Sequence, residues 1–155
     1  MSENALFKIA LNKAMALCAG REYCAGEILV KLDLWGIDKN QSRKIIEMLK
    51  RENFINEERF AAGYVKDKFN YNKWGKIKIA SYLKAKNISG ETIKKALDNI
   101  DNDSYNKTLK DLISTHRRSV KAKNPYDLKA KLLRYGLSKG FESRLLYDLL
   151  IEMEE

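Results

Sequence analysis

The chain has 155 residues, of which 45% are hydrophobic and 33% are charged, a balance typical of folded proteins and unlike that of disordered ones. It contains no apolar run of about 18 residues and no basic segment followed by an apolar one at its start, so we expect no membrane span, no signal peptide and a cytoplasmic location. The net charge of +9 points to an anionic partner: nucleic acid, an acidic protein surface or an anionic membrane face.

Helices joined by short turns are predicted along the whole chain, because only one proline and eight glycines interrupt it. Apolar side chains at helical spacing predict one helix over roughly 5–19. Equivalent helices are predicted over roughly 57–71 and 104–118. Asn124 followed by Pro125 predicts the start of a further helix, because proline fits the first helical position.

A pattern that follows each of these three helices occurs three times. It consists of two apolar residues four apart, then Gly or Asn, an apolar residue, and Asp or Ser. The copies span residues 28–38, 79–89 and 128–138, at offsets of 51 and 49 residues. Gly or Asn suits a left-handed helix C-cap, and Asp or Ser suits the N-cap of the next helix. The predicted C-caps are Gly36, Asn87 and Gly136, and the predicted N-caps are Asp38, Ser89 and Ser138.

We therefore predict an all-α fold of three tandem three-helix repeats, over residues 5–53, 54–102 and 103–153. A unit of about 50 residues buries too little surface to be stable alone, so the units should stack. Stacked repeats form an elongated, curved helical array. The alternative is an ordinary single all-α domain with coincidental spacing.

No motif for catalysis, cofactor binding or metal binding is present. The sequence lacks a Gly-rich phosphate loop, a nucleophile elbow and a zinc-binding histidine pair. Cys18, Cys24 and the single His116 are too few for a metal site, which needs about four ligands. We expect both thiols to be reduced and at least half-buried, and we expect a protein that is not an enzyme and has no cofactor.

Two basic stretches carry more than the whole net charge. Residues 66–86 contain seven lysines and one aspartate, and residues 117–139 contain eight basic residues and one aspartate. Aromatic residues interleaved with lysines suit a phosphate backbone or a partner's groove, although Trp74 also suits packing between units. The candidate partner- or nucleic-acid-binding residues are Lys73, Trp74, Lys76, Lys78, Lys84, Lys86, Arg117, Arg118, Lys121, Lys123, Lys131, Arg134 and Lys139.

A three-helix unit with basic residues can also place a helix in the major groove of DNA. The third helices are predicted to begin at Lys39, Gly90 and Lys139. Only the first begins with the Asn, Gln and Arg side chains that direct base recognition uses. We therefore do not expect sequence-specific repression.

Several segments together resemble one known family. They are Asn56–Ala61, Tyr64–Val65, Gly75, Ile77, Leu83 and Lys86–Ile88 in the middle, Glu27–Ile28 and Lys31–Leu32 before them, and Lys131–Tyr135 and Lys139–Phe141 after them. On these residues the chain resembles the RecX family over about residues 5–153. It departs from the family at Lys76, where many relatives have proline, and at Asn87, where the usual cap is glycine.

The resemblance implies a cytoplasmic regulator of recombination, DNA repair and the SOS response. Such a protein binds RecA–DNA filaments and inhibits their ATPase, strand-exchange and coprotease activities. The implied partners are the RecA filament and single-stranded and also double-stranded DNA, and we expect a monomer. The alternative is a free-standing, non-specific DNA-binding protein.

Overall fold

The computed structural model of the protein describes residues 2–154, which fold into nine α-helices without a strand. The helices are α1 (Glu3–Gly20), α2 (Ala25–Leu34), α3 (Lys39–Arg51), α4 (Glu57–Asn70), α5 (Lys76–Ala85), α6 (Gly90–Asp98), α7 (Asn102–Ser119), α8 (Pro125–Ser138) and α9 (Ser143–Glu154). The predicted all-α fold is confirmed. No described helix is long and apolar enough to cross a membrane.

The helices pack in consecutive sets of three. In the first set α3 contacts both α1 and α2, in the second all three helices contact one another, and in the third α8 contacts both α7 and α9. We call α1–α3 the first unit, α4–α6 the second and α7–α9 the third. The tandem repeat of three-helix units is confirmed by this packing.

Buried apolar side chains form two cores for the three units. One core lies within the first unit and includes Ile28, Leu32 and Ile45. The other runs continuously through the second and third units and includes Ile79 and Phe141. The second and third units are therefore one block, and the first unit has a core of its own.

The repeated turn has the predicted form in the first two units. Gly36 has φ 79° and Asn87 has φ 63°, the left-handed conformation expected at a helix C-cap. The residue after each cap donates a hydrogen bond back across the turn. The N–H of Ile37 donates to the carbonyl of Leu32 at 3.0 Å, and the N–H of Ile88 donates to the carbonyl of Leu83 at 3.2 Å. Both cap assignments are confirmed.

The predicted turn of the third unit was wrong by one helical turn. Helix α8 continues through Gly136 and Ser138, so neither residue is a cap, and α9 begins at Ser143 and not at Lys139. The left-handed residue is Gly140, with φ 92°. The following N–H donates to the carbonyl of Gly136 at 3.2 Å, which reproduces the turn of the other units four residues later.

Helix packing explains why Gly136 does not end its helix. Gly136 is buried where α8 meets α9, and a Cβ atom there would lie 2.2 Å from Cδ2 of Leu146. The missing side chain lets the two helices approach closely. Glycine in this position serves packing, which the sequence pattern could not distinguish from capping.

The other predicted helix starts are confirmed. Side-chain oxygens of Asp38, Ser89 and Asn124 accept hydrogen bonds from the N–H three residues later, at 2.8, 3.2 and 2.8 Å. Pro125 occupies the start of α8. Both cysteines are free, with Cys24 buried and Cys18 half-buried, as predicted. Burial raises the pKa of both thiols.

Candidate nucleic-acid interface

The start of α5 and the end of α8 meet through their backbones. The N–H of Gly75 donates to the carbonyl of Lys139 at 2.7 Å, and the N–H of Ile77 donates to the carbonyl of Gly140 at 3.0 Å. A Cβ atom on Gly75 would lie 2.3 Å from that carbonyl oxygen of Gly140. This contact, which we call the junction, therefore depends on glycine and fixes the second unit against the third.

Tyr105 of α7 packs against the buried side of the junction. Its side chain is 2% exposed and packs between the rings of Phe69 and Phe141, whose centroids lie 5.8 and 5.1 Å from its own. The hydroxyl accepts the N–H of Lys76 at 2.9 Å and donates to a carboxylate oxygen of Glu142. The Tyr105 hydroxyl thus hydrogen-bonds both the first residue of α5 and Glu142, which directly precedes α9.

The junction brings residues of both basic stretches together. Lys73, Trp74, Lys76 and Lys78 lie on the second unit's side, and Lys139 lies opposite. In residues 2–154, none of these four lysines forms an ion pair with a carboxylate. The four lysines of the junction are therefore unpaired within this part of the chain, and the carboxylate of Glu142 at the junction accepts a hydrogen bond from the hydroxyl of Tyr105 instead.

Lys139 is the most constrained of these cations. Its ammonium group donates to the carbonyl of Asn72 at 3.0 Å. Burial lowers the pKa of Lys139, and the positive charge of Lys78 lowers that pKa further. An anion bound here would relieve the repulsion between the two lysines.

Trp74 packs against the core, as one of the two interpretations of the sequence predicted, and its ring also contacts lysines of the basic surface. The ring is half-buried against the core shared by the second and third units. The ammonium groups of Lys68 and Lys78 lie 5.0 and 4.5 Å from its centroid, and the ring of Tyr82 lies 4.7 Å away. The sequence prediction omitted Lys68 and Tyr82. Tyr82 could have been found from its spacing, because Trp74, Lys78 and Tyr82 follow one another at intervals of four residues.

The remaining residues of the second basic stretch surround the turn between α7 and α8. Arg117 and Arg118 occupy the last turn of α7, where positive charge also stabilises the helix dipole. Lys131 is held in place: it donates to the carbonyl of Lys121 at 2.6 Å and pairs with Asp127 at 3.2 Å. Lys123 and Arg134 complete this set, and both are exposed.

A cleft lies where the segment before α5 meets α7 and α8. Lys73 lines it together with His116 and Tyr135, whose rings are stacked with centroids 3.8 Å apart. His116 is therefore part of the packing between α7 and α8, near a helix end as expected. Of the predicted site residues, Lys73 lines this cleft, and the acidic Asp111 lines it as well.

Two predicted site residues lie away from the junction. Lys86 pairs with Glu27 at 3.2 Å, between the second unit and the first. Arg59 pairs with Glu22 across the same boundary. Lys86 therefore stabilises the contact between units, and exposed Lys84 lies beside it in the last turn of α5.

The side chains brought together here are suited to binding. In the described part of the chain, no three His, Cys, Asp or Glu residues are grouped so that they would hold a metal ion. The junction offers ammonium groups and aromatic rings, which bind phosphates and π-surfaces.

Comparison with known proteins identifies relatives of this chain. The sequence model of the family described as "RecX, second three-helix domain" matches residues 56–97, which fall in the second unit. The "Regulatory protein RecX" of Clostridium perfringens strain 13 is 34% identical over 118 residues, which are 75% of this chain and 55% of that protein. The protein of the same name in Clostridioides difficile strain 630 is 27% identical over 141 residues, which are 91% and 64%.

Solved structures share the whole fold. The crystal structure of RecX from Lactobacillus salivarius superposes with a TM-score of 0.84 over 97% of this chain and 98% of that one, at 20% identity. A second crystal structure of a regulatory protein RecX gives a TM-score of 0.87 over 95% of this chain and 73% of that one, at 20% identity.

The sequence matches and the shared fold agree with the three-helix units described above. The chain spans between about half and two thirds of the length of these curated relatives. The shared fold covers 97% of this chain. The chain belongs to the RecX family.

Proposed function

We propose that this protein binds RecA–DNA filaments in the cytoplasm and inhibits their ATPase, strand-exchange and coprotease activities. Its relatives carry the name "Regulatory protein RecX", and the family resemblance supplies RecA as the target. The proposal requires recognition and restraint of another assembly, and no bond chemistry by this chain.

The observation that carries the proposal is the set of unpaired lysines at the junction. Lys78 lies close to Lys139, Lys73 and Lys76 precede Lys78 in the chain, and none of the four has a described carboxylate as an ion-pair partner. Lysines so placed attract phosphates, and displacing counterions from nucleic acid favours binding. We expect the filament's DNA or an acidic groove of its protein coat to meet this surface.

Inhibition would follow from the rigid connection between the second and third units. The second and third units share one core and two backbone hydrogen bonds at the junction. A stiff block that spans neighbouring RecA subunits would couple their motions, and one bound at a growing filament end would block addition. Either mode would slow a cycle that depends on shifts between subunits.

The alternative is a free-standing DNA-binding protein with no filament partner. Co-sedimentation with circular single-stranded DNA, with and without a RecA coat, separates the two. We expect more of the protein to sediment with RecA-coated DNA than with bare DNA at the same nucleotide concentration. Equal or weaker binding to the coated DNA would favour the alternative.

A further inference from the structure

We propose that Tyr82 is a stacking platform for one unpaired DNA base, and that Lys68 and Lys78 bind the phosphates beside it. The inference rests on the proposed function, because it assigns the DNA contact of that same surface. It adds two residues, Tyr82 and Lys68, that the sequence did not assign to the interface.

The first observation is the arrangement along one helix face. Lys78 and Tyr82 are four residues apart in α5 and share one face, and the ring of Trp74, just before the helix, contacts both and completes the row. The neighbouring face of α5 carries Ile79 and Leu83, both fully buried. Within the row, Trp74 packs against the core and Tyr82 is the exposed ring.

The second observation is an alternation of rings and cations. The ammonium group of Lys68 lies 5.4 Å from the ring centroid of Tyr64 and 5.0 Å from that of Trp74. Lys78 lies 4.5 Å from Trp74, whose ring is in turn 4.7 Å from Tyr82. The Trp74 ring is therefore surrounded by these neighbours, whereas Tyr82 is 48% exposed.

This arrangement matches the chemistry of an unpaired strand. Every base has a π-surface that becomes available only when the base leaves the duplex stack, and aromatic side chains bind that surface without regard to sequence. Phosphates next to the base need cations near the platform, and Lys68 and Lys78, which lie against the Trp74 ring that Tyr82 contacts, provide them. An acidic peptide would use the lysines but would not need the exposed ring of Tyr82 beside them.

Affinities measured by fluorescence anisotropy for three DNA probes of equal length test this directly. The probes are single-stranded oligothymidine, an abasic strand of the same phosphate backbone, and a duplex. The unmodified protein should bind oligothymidine about tenfold more tightly than the abasic strand, a typical effect of one stacked base. Tyr82→Ala should lower the affinity for oligothymidine to that for the abasic strand. Tyr82→Phe should keep the unmodified affinity, because the ring and not the hydroxyl is used.

Matched variants separate stacking from charge and from folding. Tyr147→Ala removes a tyrosine of similar exposure, 51%, on α9 and outside both basic stretches, and should change nothing. Lys78→Ala should weaken binding of oligothymidine and of the abasic strand equally. Circular dichroism should show the same helical content for every variant.

Three results would overturn the proposal. They are equal affinity of the unmodified protein for oligothymidine and the abasic strand, an unchanged preference in Tyr82→Ala, and competition by polyglutamate as effective as by oligothymidine. RecA ATPase measured with the same variants keeps this failure distinct from that of the proposed function. A Tyr82→Ala variant that still inhibits RecA while discriminating oligothymidine normally would refute the platform alone.

Discussion

The backbone N–H of Gly75 donates a 2.7 Å hydrogen bond to the carbonyl oxygen of Lys139, and this contact joins the second three-helix unit to the third. It places residues of the two basic stretches side by side on one surface. It also requires that Gly75 carry no side chain, because a Cβ atom would collide with the carbonyl of Gly140. The positive surface and the rigid block therefore have the same structural origin.

Gly75→Ala should destabilise the protein. The new methyl group would lie 2.3 Å from backbone oxygen, which cannot turn aside as a flexible side chain would. Overpacking of this kind costs about 1–3 kcal/mol. Gly63→Ala is the matched control, since nothing lies within 4 Å of a Cβ there and alanine favours the middle of α4. Thermal unfolding should show a lower midpoint for the first variant and an equal or higher one for the second.

Gly136→Ala tests the corrected register of the third unit. If Gly136 packs against Leu146, the variant should lose about 1–3 kcal/mol of stability. Combining it with Leu146→Ala should cost less than the sum of the two single changes, because the smaller residue leaves room for the methyl group. Additive free energies of unfolding in urea would contradict this packing role.

Tyr105→Phe should weaken the support beneath the junction. The change leaves the N–H of Lys76 and the carboxylate of Glu142 without the buried hydroxyl, which costs about 1–3 kcal/mol at neutral pH. Urea denaturation at pH 7 measures the loss. A variant as stable as the unmodified protein would show that water replaces the hydroxyl at no cost.

The raised pKa of Tyr105 predicts that the unmodified protein and Tyr105→Phe differ in how their stability depends on alkaline pH. Burial raises the pKa of Tyr105 above its usual value of 10.0, and the hydrogen bond to Glu142 raises it further. The folded protein therefore holds this proton more tightly than the unfolded chain, so the contribution is intact below about pH 10 and is lost as pH rises above it. Above pH 10, the stability of the unmodified protein should fall more steeply than that of Tyr105→Phe. Parallel slopes in the two proteins would contradict the assignment.

Local rules predicted most of the fold. Helical spacing, caps such as Asp38 and Ser89, and the repeated turn depend on neighbouring residues, and all of these held in the first two units. The third turn was misplaced because glycine suits both a helix C-cap and a close contact between helices. Only the distance from Gly136 to Leu146 shows that the second role applies. The sequence could not show that the second and third units share a core, since that depends on contacts between distant segments.

The candidate site was predicted as two basic stretches and not as one surface. Charge counting found Lys78 and Lys139 separately, but only the backbone pairing at Gly75 places them together. Lys86 was counted as part of the surface, and its pairing with Glu27 depends on how the first unit folds against the second. Counting charges cannot distinguish a cation that binds a partner from one that joins two units.

Reversing the charge at the junction should weaken DNA binding. The triple change Lys73→Glu, Lys76→Glu and Lys78→Glu should lower affinity and flatten the dependence of log affinity on log salt by about 2, if three phosphate contacts to single-stranded DNA are lost. The matched control changes Lys44, Lys50 and Lys94 to Glu, which alters net charge equally at exposed positions outside both stretches. Equal losses in the two variants would show that overall charge, and not the junction, drives binding.

The most direct test of the central claim is the steady-state ATPase rate of RecA on circular single-stranded DNA, with this protein titrated in. We predict that the unmodified protein and the Lys44, Lys50 and Lys94 control lower the rate, and that the Lys73, Lys76 and Lys78 variant needs a much higher concentration for the same effect. An unchanged rate with the unmodified protein in several-fold excess over its cognate RecA would contradict the proposed function and leave bare DNA binding as the better account.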